Sequence, residues 1–249
     1  NSIGITGTSM IFKSLESNIH LTSLDLGAVD GIDRNRLGTQ GCKSVGEMLK
    51  RNQTLSHLNL SMCGVTAEGC PYIGEALTQN TSLFSLDLTS NRFGTTGING
   101  LFQLDGSFGC LETLILSHNS IGNEASKSLC HQIKLSRSIR SIDLSHNELS
   151  KPFLESLYTA LQEGAKITRL DLSKNKFGPE SADSLRLIIR DIQSLTYIDL
   201  SSNNFKDEGL KIIAQGLKQN TTMNSLNLSG TGMTDDSGIE FAHIISLHP

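Results

Sequence analysis

Three side chains that could carry charge or bind a metal recur at a fixed spacing in the middle of this sequence. His118, His146 and Lys174 are each 28 residues apart. An imidazole changes its charge between about pH 5 and pH 8 and is also a common metal ligand. A zinc site, however, needs at least three protein ligands, and no third His, Cys or acid is evidently placed with this pair. The pattern therefore favours a contact surface with weak pH sensitivity and predicts no metal.

A second set with the same spacing is acidic. Asp143, Asp171 and Asp199 follow one another at 28-residue intervals, and Arg169 and Tyr197 stand two residues before the last two of them. Neighbouring carboxylates repel one another, and we expect Arg169 to offset part of that repulsion. The strip could receive a basic partner, or its aspartates could simply be solvated surface residues. The sequence leaves both interpretations open.

Catalysis has little support in the sequence. There is no Ser/His/Asp arrangement with a nucleophile turn, no glycine-rich phosphate loop after a strand, and no carboxylate pair whose spacing predicts burial. We therefore expect the protein not to be an enzyme and to use no cofactor.

The spacing of these side chains belongs to a repeat that runs along the chain. Leu195, Ile198, Leu200 and Asn203 stand at positions 1, 4, 6 and 9 of the pattern L-x-x-L-x-L-x-x-N. The step between repeats is 28 residues throughout, except for 34 between the first two. Position 1 of the eight repeats is occupied by Leu21, Leu55, Leu83, Leu111, Ile139, Ile167, Leu195 and Met223.

Each repeat predicts a strand followed by a helix. The alternation of apolar and polar residues around positions 4 to 6, as in 198–200, is typical of a half-buried strand. A column of glycines is expected to mark the helix starts, and Pro152 and Pro179 fit a first helical turn. The glycines are Gly41, Gly69, Gly97, Gly209 and Gly238.

Stacking these units predicts a curved fold. Parallel strands are about 4.8 Å apart, whereas packed helices need about 10 Å, so the stack bends. The fold class is α/β: a solenoid of about eight repeats shaped like a horseshoe, with parallel strands on the concave face and helices on the convex face.

Position 9 forms an asparagine column with a structural role. Its amides can satisfy backbone groups that would otherwise be buried and unpaired where the chain leaves the strand. The column consists of Asn91, Asn119, Asn147, Asn175 and Asn203, with Cys63 and Thr231 as substitutes.

The first repeat carries six extra residues, which predict a longer loop at 27–35. Asp30, Gly31 and Asp33 weakly resemble a calcium-binding loop, but the spacing and the final Glu are absent. An ordinary loop on the edge of the solenoid is the favoured interpretation, and contact with a partner is left open.

The 28-residue repeats and their full helices resemble the ribonuclease-inhibitor-like class of leucine-rich repeats, and the likeness covers all 249 residues. It implies a scaffold that grips other proteins, because the class includes ribonuclease inhibitor, immune receptors, the Ran GTPase-activating protein and actin-capping regulators. Unlike ribonuclease inhibitor, this chain does not alternate two repeat lengths and is not rich in cysteine. The alternative function that the resemblance implies is GTPase activation through an edge arginine such as Arg34, Arg36 or Arg92.

The composition of the chain limits the classes of partner that it is expected to bind. The net charge of −4 argues against nucleic acid and anionic membranes, and there is no membrane-spanning or signal-peptide pattern. The five cysteines are interpreted as reduced and the protein as cytoplasmic. The sequons at Asn52, Asn80 and Asn220 are interpreted as turns. We expect residues 1–249 to form a single leucine-rich-repeat domain, a fragment of a longer protein.

These observations predict a non-catalytic scaffold that binds a protein partner on its concave face across repeats four to seven. Large or charged outward residues cluster only there. The predicted partner-binding residues are Glu112, His118, Arg140, Asp143, His146, Arg169, Asp171, Lys174, Tyr197 and Asp199.

Overall fold

One sheet of eight parallel strands runs through the computed structural model, which describes residues 1–28 and 34–247. The strands are hydrogen-bonded in chain order, each to its sequence neighbours, so the array is a solenoid. The strands are β1 Ser23–Asp25, β2 His57–Asn59, β3 Ser85–Asp87, β4 Thr113–Ile115, β5 Ser141–Asp143, β6 Arg169–Asp171, β7 Tyr197–Asp199 and β8 Ser225–Asn227.

An α-helix lies between each pair of successive strands, and the described residues add one more before β1 and one after β8. Short 3₁₀ turns at Asn123–Ala125 and Pro179–Ser181 lead into two of them. The helices are α1 Ile5–Leu15, α2 Gly38–Arg51, α3 Cys70–Gln79, α4 Gly94–Leu101, α5 Ser126–Leu135, α6 Lys151–Gln162, α7 Ala182–Asp191, α8 Lys206–Leu217 and α9 Asp235–Leu247.

The core follows the repeat pattern. Leu195, Ile198 and Leu200, at positions 1, 4 and 6 of repeat seven, are fully buried, and the equivalent residues of the central repeats pack in one continuous cluster. In the end repeats the same positions are partly open: Leu21 is 39% exposed, and Met223 is half-buried. The predicted fold class is confirmed, with parallel strands on the concave face and helices on the convex face.

The predicted strand position is wrong by one residue. Each strand covers positions 3 to 5 rather than 4 to 6, as β7 shows. The parallel hydrogen bonds nevertheless continue beyond the strand: the backbone N–H at position 6 donates to the next repeat, as from Leu172 to Asp199 at 2.9 Å. The N–H at position 8 does the same, as from Lys174 to Ser201 at 2.8 Å. Inter-repeat pairing therefore extends to position 8.

The glycine column does not mark the helix starts. Gly41, Gly97, Gly209 and Gly238 lie at the fourth residue of their helices, and only Gly69 directly precedes its helix. At Gly41, Gly97 and Gly209 the glycine permits close packing, since a Cβ on Gly97 would lie 2.5 Å from the Cβ of Phe93 in the preceding turn. A Cβ on Gly238 would meet no atom within 4 Å. Pro152 in α6 and Pro179 in the 3₁₀ turn before α7 occupy first turns, as predicted.

Repeat one keeps the asparagine column despite its insertion, a feature that the sequence pattern obscures. Asn35 follows Leu26 after six extra residues, and its buried side chain donates from Nδ2 to the Leu26 carbonyl at 2.7 Å. Its Oδ1 accepts the backbone N–H of Ile3 at 3.0 Å. The insertion therefore lengthens the loop without displacing the residue that closes the turn.

Candidate functional site

The asparagine column forms a buried hydrogen-bonding ladder, as predicted. Asn147 Nδ2 donates to three carbonyl oxygens of its own and the preceding repeat at 3.0 to 3.1 Å. Its Oδ1 accepts the backbone N–H groups of Asn119 and Ile121, both at 3.0 Å. One side chain thus satisfies five backbone groups that the turn would otherwise leave unpaired.

The two predicted substitutes take over part of this role. Cys63 Sγ donates to the Leu26 carbonyl at 3.0 Å, and Thr231 Oγ1 donates to the Leu228 carbonyl at 2.6 Å. The column is therefore structural throughout, and it leaves no polar group free for a partner at position 9 of the central repeats.

Position 8, immediately before the asparagine column, has the same backbone geometry in seven repeats. Its residues are in the left-handed region, with φ between +52° and +59° for the six that are not glycine. That region is uncommon for residues with a Cβ, so the turn and not the side chain dictates the conformation. The seven residues, which we call the turn column, are Met62, Ser90, His118, His146, Lys174, Ser202 and Gly230.

The structure brings the two histidines of the turn column together. The rings of His118 and His146 are stacked, with centroids 3.8 Å apart and planes inclined by 21°. His118 is exposed and His146 is half-buried. The pKa of His146 is lowered, first by burial and then by the nearby His118 and Lys174, while Asp171 acts in the opposite direction.

The aspartates at position 5 do not act as free carboxylates. Asp143 Oδ1 accepts the backbone N–H of Ser145 at 2.8 Å, two residues later, and Asp171 accepts that of Ser173 at 2.9 Å. The same turn is closed by an asparagine or aspartate at position 5 of every repeat except the fourth, where Ile115 stands. The column therefore has a local structural role that neither sequence interpretation includes.

Burial acts to raise the pKa of both Asp171 and Asp199, but the two carboxylates differ in their hydrogen bonds. The pKa of Asp171 is raised, first by burial and in part by Asp143 and Asp199, against the bonds from Ser173. The pKa of Asp199 is lowered: burial acts to raise it, but hydrogen bonds from Ser201, Asn227 and Tyr197 outweigh burial. Asp199 is only 8% exposed. Those hydrogen bonds hold its carboxylate within the sheet surface, and its contact with a partner stays a prediction.

Arg169 and Tyr197 form a stacked pair on the concave face. The guanidinium carbon of Arg169 lies 3.5 Å from the centre of the Tyr197 ring, which is a cation–π geometry. The sequence predicts that Arg169 offsets part of the repulsion among the aspartates, but it does not predict the contact between Arg169 and Tyr197. The Tyr197 hydroxyl donates weakly to Asp199 Oδ2 at 3.4 Å, so the ring is fixed on both sides.

Glu112 and Arg140 lie at the other end of the strands, at position 2, about 20 Å along the chain from position 8. Glu112 is exposed, whereas the Arg140 guanidinium donates to the carbonyls of Arg137 and Ile139 at 2.6 and 3.0 Å. The same column holds Phe84, which is 43% exposed. Sequence reasoning missed this phenylalanine, although its place directly before Glu112 in the column could have indicated it.

Comparison with known proteins gives the family. A model described as "Leucine Rich repeat" matches residues 51–74, 79–102, 110–130, 165–185, 192–214 and 219–242, which is more than half of the chain. The chain belongs to the leucine-rich-repeat family. Such proteins typically act as non-catalytic scaffolds that bind other proteins.

The other comparisons add little to this leucine-rich-repeat assignment. A search of curated proteins gives no significant match. Among solved structures, a chain described as "Leiomodin-1 Actin-Binding Site 2 (ABS2)" is similar at 13% identity with a TM-score of 0.37, over 95% of this chain and 86% of that one.

Several further predictions concern particular residue types. Within residues 1–28 and 34–247, no group of three His, Cys, Asp or Glu could hold a metal ion. All five cysteines are free thiols, and burial raises the pKa of Cys42 to about 11. The calcium alternative at Asp30, Gly31 and Asp33 lies outside the described residues, as does the middle of the 27–35 loop.

The asparagines of the three sequons are turn residues, as interpreted. Asn52, Asn80 and Asn220 are at most 3% exposed. Each accepts two backbone N–H groups two and three residues later, as from Ser82 and Leu83 to Asn80 at 2.9 and 2.7 Å. None of the helices in the described part of the leucine-rich-repeat chain is long and apolar enough to cross a membrane.

Proposed function

We propose that this leucine-rich-repeat protein is a non-catalytic scaffold that binds a protein partner on its concave face, across repeats four to seven. The observation that carries the proposal is the stacked pair of Arg169 and Tyr197. Arginine and tyrosine are the residue types that most often dominate interface energetics. A pair that is already ordered loses little side-chain entropy when a partner covers it.

The surroundings of the pair support the same surface. Asp171 on β6 and Asp143 on β5 are half-buried, and Glu112, at position 2 of repeat four, is exposed. By contrast, the concave face of the last repeat presents Ser225 and Asn227, which offer little contact area. The partner is therefore expected to lie toward the middle of the array.

We also propose that the chain belongs to the ribonuclease-inhibitor-like class and acts in the cytoplasm. The 28-residue repeat with its full helices supports the class. The five free thiols and the buried, hydrogen-bonded sequon asparagines support a reducing compartment without glycosylation.

Affinity measurements on substituted proteins test the concave surface. The partner is captured on the immobilised wild-type chain, purified, and its affinity measured for each variant. Tyr197→Ala and Arg169→Ala should each cost about 1–3 kcal/mol of binding free energy. Reversing the charge with Asp171→Lys should change the association rate and its salt dependence.

The matched controls are Ser61→Ala and Ser229→Ala, at position 7 of repeats two and eight, which should leave affinity unchanged. If Tyr197→Ala and Arg169→Ala also leave it unchanged, while changes within 27–35 abolish binding, the loop is the site and the proposal is wrong. A GTP-hydrolysis assay with purified Ran tests the alternative activity. Acceleration that depends on Arg34, Arg36 or Arg92 would replace the scaffold proposal with GTPase activation.

A further inference from the structure

The stacked imidazoles of His118 and His146 are a preformed pair held by the backbone. Their left-handed turns, at φ +59° and +52°, and the bonds from their N–H groups to Ser145 and Ser173, at 3.1 and 2.9 Å, fix the two rings one repeat apart. Among the described residues, no hydrogen bond or ion pair involves the ring nitrogens of either histidine. Their polar atoms are therefore available to a ligand.

Burial and the charges around His146 make its protonation unfavourable in the free protein. Lys174 follows His146 in the turn column, and each imidazole would repel the other if both were charged. The carboxylate of Asp171 acts in the other direction and raises the pKa of His146. Asp143 stands at position 5 of the same repeat as His146. On the other side of His118 the column holds the uncharged Ser90. Two more charged groups of the adjoining turns, Glu148 and Lys176, are paired with each other at 2.8 Å.

We propose that His118, His146 and Lys174 form a proton-dependent docking site for the carboxylates of an acidic peptide segment. The inference rests on the proposed function, since the segment would belong to the protein partner that covers repeats four to six. A carboxylate over the two rings supplies a counter-charge in addition to that of Asp171. Binding therefore takes up protons and strengthens as the pH falls through the imidazole range.

Two other ligands fit the geometry less well. A metal ion needs nitrogen lone pairs that converge on one point, whereas rings stacked at 21° lie nearly face to face and aim their lone pairs past one another. A nucleic acid would bring phosphates beside Asp143 and Asp171. A peptide can place carboxylates over the imidazoles and other groups over the aspartates.

Titration with a defined peptide tests the site directly. The probe is an end-capped hexaglutamate, with hexaglutamine as the uncharged control, at about pH 5.5 and about pH 7.5, on either side of the ordinary histidine pKa. Affinity is measured by calorimetry, and the imidazole chemical shifts report occupancy. We expect hexaglutamate to bind at least about tenfold more tightly at the lower pH and hexaglutamine to show no such difference.

The double variant His118→Asn with His146→Asn removes the imidazoles while keeping the turns, because asparagine tolerates the left-handed conformation. It should lose the pH dependence. Ser90→Asn with Ser202→Asn, at turn-column positions with φ +57° and +56°, is the matched control and should keep it. Equal affinity at both pH values, or pH dependence that survives in the histidine variant, would overturn the inference.

The outcomes separate this inference from the proposed function. If the captured partner needs Tyr197 and Arg169 but binds equally at both pH values, the scaffold proposal stands and the acidic-segment inference is wrong. Hexaglutamate could show the predicted pH dependence while Tyr197→Ala and Arg169→Ala leave the affinity for the partner unchanged. The proposed concave site would then be wrong, and the acidic-peptide site would still be supported. Tighter binding of a single-stranded oligonucleotide than of hexaglutamate would also overturn the inference, because the ligand class would then be nucleic acid.

Discussion

His146 and Asn147 are neighbours in the sequence, but the side chains of the turn column and of the asparagine column have different roles in the fold. The Asn147 side chain is 7% exposed and bonds five backbone groups. The backbone of His146 enters the same inter-repeat ladder through its N–H, but its side chain stands at the surface beside His118. The asparagine side chains at position 9 stabilise the fold, whereas the fold only fixes where the side chains at position 8 lie.

The difference explains why position 8 tolerates Met, Ser, His, Lys and Gly whereas position 9 is almost uniform. The turn fixes the backbone of position 8 and leaves its side chain without a structural task. A solenoid can therefore change its surface chemistry at position 8 without losing the turn. Three substitutions and one pH titration test these structural roles.

The largest effect is expected from Asn147→Ala. It leaves several buried backbone groups unpaired, and we expect the free energy of unfolding to fall by about 1–3 kcal/mol. Urea denaturation measures the change. His146→Asn is the matched control in the adjacent column and should alter stability by less than about 0.5 kcal/mol. Equal losses in the two variants would contradict the distinction between the columns.

A β-branched residue at position 8 tests whether the backbone alone constrains this column. His146→Val should cost about 1–2 kcal/mol, because the branched Cβ of valine crowds the backbone in the left-handed conformation more than the unbranched Cβ of histidine does. His146→Gly, which has no Cβ, should not show that loss. If valine is tolerated as well as glycine, then φ +52° is not what position 8 requires.

A smaller effect, of opposite sign, is expected from Asp171→Asn. Asparagine keeps the bond to the Ser173 N–H, as Asn59 and Asn227 do in their own turns, and removes the repulsion from Asp143 and Asp199. The free energy of unfolding should rise by roughly 0.5 kcal/mol at neutral pH. Asp25→Asn at the first repeat is the control, and a comparable gain there would exclude relief of repulsion as the cause.

The smallest effect is the pH dependence of His146. Its pKa is lowered in the fold, so the unfolded chain binds more protons and stability falls as the pH drops through and below about 6.5. The loss should be shallower in His146→Asn than in the wild type. Thermal melts at several pH values measure it, and identical curves would mean that the imidazole is not disfavoured when charged.

The sequence predicts the asparagine column and the proximity of the two histidines, because both follow from a constant repeat length. It does not reveal the left-handed turns, since Met62, Ser90 and Lys174 share no conformational preference, and only Gly230 indicates a positive φ. It also obscures Asn35, which the insertion moves six residues away from its expected place.

The aspartates and Arg169 show a second kind of feature that the sequence does not predict. The alternation at position 5 indicates outward side chains, but the bond from Ser173 to Asp171 depends on how the chain turns after the strand. Likewise, spacing places Arg169 near both Asp171 and Tyr197, and only the three-dimensional arrangement distinguishes the aromatic contact from the ionic one. Such local choices depend on distances of a few ångströms, which a repeat pattern does not encode.

Carbethoxylation of histidines in the presence and absence of the captured partner tests whether that partner covers repeats four to seven. We expect the partner to protect His118 and His146 in repeats four and five. His57 on the concave face of repeat two and His131 on the convex helix α5 serve as internal controls, and both are exposed. They should react equally in both states. Protection of His131 or His57 with His118 and His146 left reactive would contradict a partner seated across repeats four to seven.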